Sequence, residues 1–369
     1  MERVQKATSG TGTKRAIVSR ASRIIRRSPH RLLLLSLLGV GLTCGGPSAG
    51  PVAEERRFIA EGPLLEEEMP PDLTVAFLAD QGHNKWSERV LSLVKLEGAQ
   101  AVIHQGDFDY EDDPRAWEQQ IDQVLGPEFP YFASVGNHDK DRFYDRGGYQ
   151  ERLARRLLRL GIPWEGEVAV KCVIGWRGLT MVFTGPDIIG EGHDLFIREA
   201  LARSRSPWRI SSWHKNMTSM QLGEKDDDTG WGVYEESRRG GAIVATGHEH
   251  SYSRTFLMSR YDQPTIAGTE DPFQLAVDDP GTLEDEGRNF AFVSGLGGKS
   301  VRDQNRDGPW WAFRYTSNQG AKPGALFATF AYRGDPALAR FYFKNIDGEI
   351  VDEFFVRGLD PSPREPTSQ

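Results

Sequence analysis

Apolar residues along this chain recur with two different periods, and the switches between them mark out the elements. Residues 73–79 (LTVAFLA) are almost wholly apolar, as a strand covered on both faces requires. Residues 86–96 then carry apolar positions at helical spacing, 101–104 predict a second strand, 114–125 a helix with Pro114 in its first turn, and 131–135 a third strand. An amphipathic helix rich in Arg and Leu is predicted over 149–160. Residues 168–174 and 179–184 predict a hairpin around Gly175-Trp176-Arg177-Gly178. Helices over 194–203 and 234–239 precede strands at 208–213 and 242–246. The last third predicts strands only, at 290–294, 325–330, 338–343 and 350–356, the final two joined by the turn Asn345-Ile346-Asp347-Gly348. No internal repeat and no second domain boundary interrupts this order. Alternating strands and helices followed by a run of strands predict a layered α/β sandwich of two central sheets.

The amino-terminal segment has a different character. Arg20, Arg23, Arg26, Arg27 and Arg31 precede an apolar run over 32–43 that ends at Cys44. The run is short for a bilayer span but has the length of a signal-peptide core. Residues 1–44 are therefore expected to be an export signal. An apolar core ending in Cys resembles a bacterial lipoprotein signal, with Cys44 as the lipidated residue and anchor to the membrane; plain secretion and an uncleaved anchor are the alternatives. Arg26-Arg27 lacks the residues that follow the pair in a twin-arginine signal. The expected location is exported, periplasmic or at the cell surface. Residues 45–72, with Pro47, Pro51, Pro63, Pro70 and Pro71, have linker composition, and 358–369 are expected to be a disordered tail. Apart from Cys44 the chain has only Cys172, so no disulfide framework is available. Cys172 alternates with Val168, Val170 and Ile174, as a small buried side chain does.

Charge narrows the partners. The formal net charge is −8, but residues 1–44 hold nine Lys or Arg and one acid, leaving 36 basic against 52 acidic residues, or −16, for the remainder. So acidic a body repels a nucleic-acid backbone, and nucleic acid is not an expected partner. A small anionic substrate stays compatible if bound cations dominate one local site.

Candidate chemistry sits at the strand ends. The first strand runs into Ala79-Asp80-Gln81-Gly82-His83, the second into Gln105-Gly106-Asp107-Phe108-Asp109-Tyr110, and the third into Gly136-Asn137-His138-Asp139. The strand at 208–213 delivers His214, and the strand at 242–246 delivers Gly247-His248-Glu249-His250. One Asp at a strand end is an ordinary turn former. Carboxylates, an amide and imidazoles converging on one edge of an α/β fold can hold two cations.

The order D…GDxxY…GNHD…H…GHxH resembles the calcineurin-like metallophosphoesterase superfamily. That resemblance implies a four-layer α/β/β/α sandwich of two mixed sheets flanked by helices, with the domain over 73–357. Gly82 two places after Asp80, and Tyr110 three places after Asp107, are similar to the purple acid phosphatases of the short, single-domain type; Ala79 departs from their pattern. By resemblance, Asp80, Tyr110 and His250 bind one metal and Asn137, His214 and His248 the other, with Asp107 bridging. His83 is the alternative ligand should Tyr110 only pack beneath the site. The ions implied are Fe(III) with Fe(II), Zn(II) or Mn(II). The implied activity is hydrolysis of small phosphomonoesters by a metal-bound hydroxide, with His138 assisting the leaving group and Asp139 orienting His138. Phosphodiester hydrolysis on the same scaffold, or a surface binding protein without turnover, are the alternatives.

Other features are expected to be structural. Asp303, Asn305, Asp307 and Gly308 copy half of a calcium loop, but Arg314 stands where its Glu belongs. Asp226-Asp227-Asp228 reads as a solvated loop, and Trp231, Trp310 and Trp311 either line a cleft or pack. Asn216-Met217-Thr218 has the form of a glycosylation acceptor. His83 and His193 are possible groups behind the ligands.

Overall fold

In the computed structural model, which describes residues 57–60 and 67–359, the apolar strands assemble into two mixed sheets facing one another. The expected export signal with Cys44, most of the linker and the tail beyond residue 359 lie outside the described residues. In spatial order the seven-stranded sheet runs Phe273–Gln274, Ile350–Arg357, Leu338–Asn345, Gly324–Phe330, Leu73–Leu78, Ala101–His104 and Tyr131–Ala133. Its last three strands are mutually parallel, which is the crossover geometry that intervening helices make. The nine-stranded sheet runs Ile59–Ala60, Glu165–Glu167, Lys171–Trp176, Leu179–Thr184, Trp208–Ser212, Ile243–Thr246, Ala291–Ser294, Tyr252–Thr255 and Trp311–Tyr315. Four of these, from Leu179–Thr184 to Ala291–Ser294, are parallel.

Strand periodicity explains the layering. Cys172, Ile174 and Trp176 face the core between the sheets, while Val173 between them faces the outer helices. Met181 and Phe183 likewise point inward and Val182 outward. Cys172 is the small buried residue expected, and burial pushes its thiol up to about 12. Helices Lys85–Leu96 and Tyr149–Leu160 pack on the seven-stranded sheet, and His193–Arg203 and Trp231–Arg239 on the nine-stranded one, giving α/β/β/α. Asn84 opens the first helix with a capping box, its Oδ1 accepting the Trp86 N–H at 2.7 Å. No helix among the described residues is long and apolar enough to cross a membrane.

The sheets are joined at the ends of their parallel strands. Ala79 N–H donates to Ser294 O at 2.8 Å, Ser294 Oγ to Phe77 O at 3.0 Å, and Ser134 Oγ to Ser212 O at 2.8 Å. Further along, Arg254 Nε and Tyr252 OH both reach Asp352 Oδ2, at 2.6 and 2.7 Å, tying one sheet to the other through a buried charge pair.

Several strands depart from the expected pattern. Tyr252–Thr255 is fully buried yet mostly polar, so no apolar alternation announces it. Ile59–Ala60, within the expected linker, pairs with Glu167 and Gly166 as an edge strand. Trp311 is buried, and Trp231 and Trp310 pack against the helix-side core, so the tryptophans pack rather than line a cleft.

Candidate metal centre

Five parallel strands from both sheets end at one edge, and each releases polar side chains there. Leu73–Leu78 leads to Asp80, Ala101–His104 to Asp107, Tyr131–Ala133 to Asn137, Trp208–Ser212 to His214, and Ile243–Thr246 to His248 and His250. The loops turn sharply: Asp80, Asp107, Tyr110 and His248 have φ of 57°, 59°, 62° and 70°. Asp and His tolerate this left-handed region better than most residues, and such strain concentrates at functional sites. The Gly106 and Gly136 loops touch backbone to backbone. A Cβ on Gly136 would lie 2.1 Å from Asp107 N, so only glycine permits this approach.

The side chains gather into two adjoining groups. In one, Tyr110 OH donates to Asp80 Oδ1 at 2.7 Å and lies 3.0 Å from His250 Nε2, which is 3.3 Å from Asp80 Oδ1. In the other, ligand atoms of Asp107, His214 and His248 all lie within 4.8 Å of one another, a spacing that suits one cation. There His214 Nε2 is 3.2 Å from Asp107 Oδ1 and 3.1 Å from His248 Nδ1. His214 Nδ1 is fixed by Gln105 O at 2.6 Å, which sets the ring's orientation. Asn137 Oδ1 is buried without a hydrogen-bond partner. Asp80 Oδ2 accepts the His248 N–H at 2.8 Å, joining the groups.

Charge is concentrated and under-compensated. Asp80 and Asp107 are buried, and their ion-pair partners are imidazoles rather than Lys or Arg. Burial pushes the Asp80 carboxyl up, but the charge and hydrogen bond of His250 outweigh it and hold it well below the usual range. Asp107 is lifted by burial and brought down to about 2 by His214. Burial pushes His214 down, yet the charge and hydrogen bond of Asp107 raise it to about 9. The cluster thus retains a proton to offset its carboxylates, the place that a metal ion takes when ligands deprotonate. Burial, then Asp80 and Asp107, push the Tyr110 hydroxyl far up, so only a strong cation beside it would release that proton.

The supporting residues differ in part from the expected ones. Asp139 does not orient the His138 ring: its oxygens accept the backbone N–H of Asp107 at 3.0 Å, Phe108 at 2.8 Å and Gly136 at 2.6 Å, bracing two ligand loops. His138 is exposed, its N–H donates to Asp107 Oδ1 at 2.9 Å, and its ring lies 4.6 Å from that of Tyr110. His83 is exposed beside the helix start, and Tyr110 takes the place by Asp80. His193 is buried away from the ligands, and burial pushes its imidazole down. Asp227 is not a solvated loop residue, because its Oδ2 lies 2.9 Å from His248 Nε2. Lys225 Nζ lies 2.9 and 3.0 Å from the two nitrogens of His248, a nearly equal spacing that sets it beside the ring rather than along either lone pair. Asn216 is fully buried, donating to Gly247 O at 2.8 Å and accepting from Tyr234 OH at 3.1 Å, so the acceptor motif serves to position the His248 loop. Asp307 pairs with Arg314 at 2.6 Å, as a surface turn does.

Sequence reading missed Lys225, Asp227 and Ser300, whose Oγ meets His250 Nδ1 at 2.5 Å. Ser300 belongs to Gly295-Leu296-Gly297-Gly298-Lys299-Ser300, and a glycine-rich loop directly after an apolar strand was the signal available for it.

The profile of the calcineurin-like phosphoesterase family matches residues 73–252. No curated protein matches by sequence. Among solved structures, the purple acid phosphatase from yellow lupin (Lupinus luteus) seeds is similar at 16% identity and a TM-score of 0.56, over 80% of this chain and 57% of that one. The chain thus spans little more than half the length of the lupin enzyme. The Plasmodium protein described as the anchor in the inner membrane complex is similar at 11% identity and a TM-score of 0.51, over 79% of this chain and 92% of that one. At these identities both likenesses concern the fold.

Proposed function

We propose that this chain, whose residues 73–252 match the calcineurin-like phosphoesterase family, is a binuclear, metal-dependent phosphohydrolase of phosphomonoesters, similar to purple acid phosphatases. The observation that carries the proposal is a pair of buried carboxylates, Asp80 and Asp107, whose ion-pair partners are imidazoles, beside an unpartnered amide oxygen, with the nearest ammonium, that of Lys225, set against His248. Two buried carboxylates are costly where imidazoles supply most of the counter-charge, and a cation on these donors would remove that cost. Asp80, Tyr110 and His250 would hold one ion and Asn137, His214 and His248 the other, with Asp107 shared. Carboxylate, imidazole and phenol donors fit Fe(III) with Fe(II), Zn(II) or Mn(II). When bound, two such ions would supply charge neutralisation for a phosphate and acidify a water near neutral pH.

The chain's own residues supply the rest. Asp107 accepts the backbone N–H of His138, so the residue whose imidazole would meet the substrate is anchored through its main chain to the carboxylate that both ions would share. His138 is exposed beside the Tyr110 ring and would donate a proton to the departing oxygen. His138→Ala is expected to keep its full metal content while kcat falls by about a hundredfold or more. Metal analysis beside steady-state turnover checks this, and unchanged kcat would remove His138 from the reaction.

The test of the whole reading is metal content and visible spectrum of the aerobically purified protein, with parallel assays on p-nitrophenyl phosphate and its bis ester. Two metals per chain, a visible band lost in Tyr110→Phe, and preference for the monoester support it. A metal-free protein, or one that hydrolyses neither ester, overturns it; preference for the bis ester moves the assignment to a phosphodiesterase.

A further inference from the structure

Lys299 stands apart from the other cations around this centre. Its loop is fastened to the ligands by backbone: Gly297 N–H donates to Ala79 O at 2.9 Å, and Lys299 N–H to Asp80 O at 3.0 Å. A Cβ on Gly297 would sit 2.3 Å from Ala79 O, so the loop approaches as closely as glycine allows. Ser300 on His250 secures the other side. Lys299 is thus rigidly mounted at its Cα while its side chain is exposed, with the ammonium over the Tyr110 ring, 4.4 Å from the centroid. Tyr110 points its hydroxyl at Asp80 and His250, whereas the ammonium lies over the body of the ring.

Neighbouring bases are already engaged. Arg302 donates to His248 O and faces Glu249, Arg306 holds Asp226, Lys215 holds Asp187, and Lys225 sits against His248. Lys299 has no carboxylate partner among the described residues and holds its ammonium over the Tyr110 ring, which His138 also flanks. In so acidic a chain, a rigidly placed free cation at the mouth of the centre is suited to an anion that arrives with the substrate.

We propose that Lys299 determines specificity by binding a second phosphate on the substrate, so that organic diphosphates and bisphosphates are preferred over esters whose remaining part is uncharged. This deepens the phosphohydrolase reading and rests on it for the position of the scissile phosphate. A lysine that merely offsets the charge of Asp80 would affect all substrates alike; a lysine that grips a second phosphate changes their ratio.

The test uses the full-length, manganese-loaded protein, dialysed free of excess metal, with Lys299→Met and Lys299→Arg variants. Calorimetric titration compares imidodiphosphate with inorganic phosphate. Turnover is compared on a nucleoside diphosphate, a hexose bisphosphate and p-nitrophenyl phosphate. Imidodiphosphate is expected to bind the unaltered protein about tenfold tighter than phosphate, as a charge-assisted contact allows. That ratio, and the matching ratio of kcat/KM, should collapse in Lys299→Met and recover in Lys299→Arg. If only one of the two doubly phosphorylated substrates shows the dependence, that one identifies whether the second phosphate is linked or remote. Ratios near one in the unaltered protein, or ratios indifferent to Lys299→Met, overturn the proposal. If the binding ratio behaves as expected but no ester is hydrolysed, the phosphohydrolase reading fails while the anion subsite stands.

Discussion

Asp107→Asn is expected to leave the protein folded but strip it of one or both metal ions and lower kcat by at least about a thousandfold. The substitution isolates charge from shape. Asn tolerates the left-handed backbone at this position, φ 59°, as well as Asp does, and its Oδ1 can still accept the His138 N–H. What disappears is the anion that both ions would share and that holds the His214 imidazolium at about 9. With a neutral amide there, His214 loses the main charge raising it against burial, and of the two carboxylates among the expected ligands only Asp80 is left to attract cations. Metal per chain, measured by atomic emission after dialysis, reads the first consequence, and saturating turnover reads the second. Retention of both metals with near-normal kcat would exclude Asp107 as the shared ligand.

Asp139→Ala is expected to cost stability as well as activity. The carboxylate accepts three N–H groups, from Asp107, Phe108 and Gly136, in a region closed to solvent. Each buried donor left without an acceptor costs about 1–3 kcal/mol, so a total loss of at least about 3 kcal/mol follows. Asp139→Asn keeps one acceptor oxygen and should fall between. The burial of this carboxyl and the nearby Asp107 charge push it upward, so its role is that of an acceptor holding two loops together, not of a charge near the substrate. Urea denaturation gives the stability change, and metal content reports whether the loops still present Asp107 and Asn137. A loss below about 1 kcal/mol would mean that other acceptors satisfy those three donors.

The strand ends were legible because they follow from local pattern. An apolar run such as residues 73–79 has no stable home except a sheet covered on both faces, and the Asp80 that ends it cannot continue the run. The same reasoning placed Asp107, Asn137, His214, His248 and His250 at strand ends. Tyr252–Thr255 was not legible, since its Tyr, Ser, Arg and Thr are buried through long-range partners such as Asp352 and carry no apolar rhythm. The role given to Asp139 failed for a related reason. Adjacency to His138 suggested a side-chain contact, but the carboxylate turns to the backbone of a neighbouring loop about 30 residues earlier in sequence. Lys225 and Asp227 were passed over because a run of acids looks solvated until the loop folds back over His248.

By itself the sequence determined the succession of strands and helices that points to two sheets, and which polar side chains stand at the strand ends, because hydrophobic period and glycine placement are short-range properties. Only tertiary structure decided that those ends meet, that Tyr110 rather than His83 stands by Asp80, and that Asn216 and Asp139 brace the loops. These depend on which backbones approach closely enough to exchange hydrogen bonds across the two sheets. Such contacts are set by packing between segments far apart in the chain, and local pattern does not encode their distances.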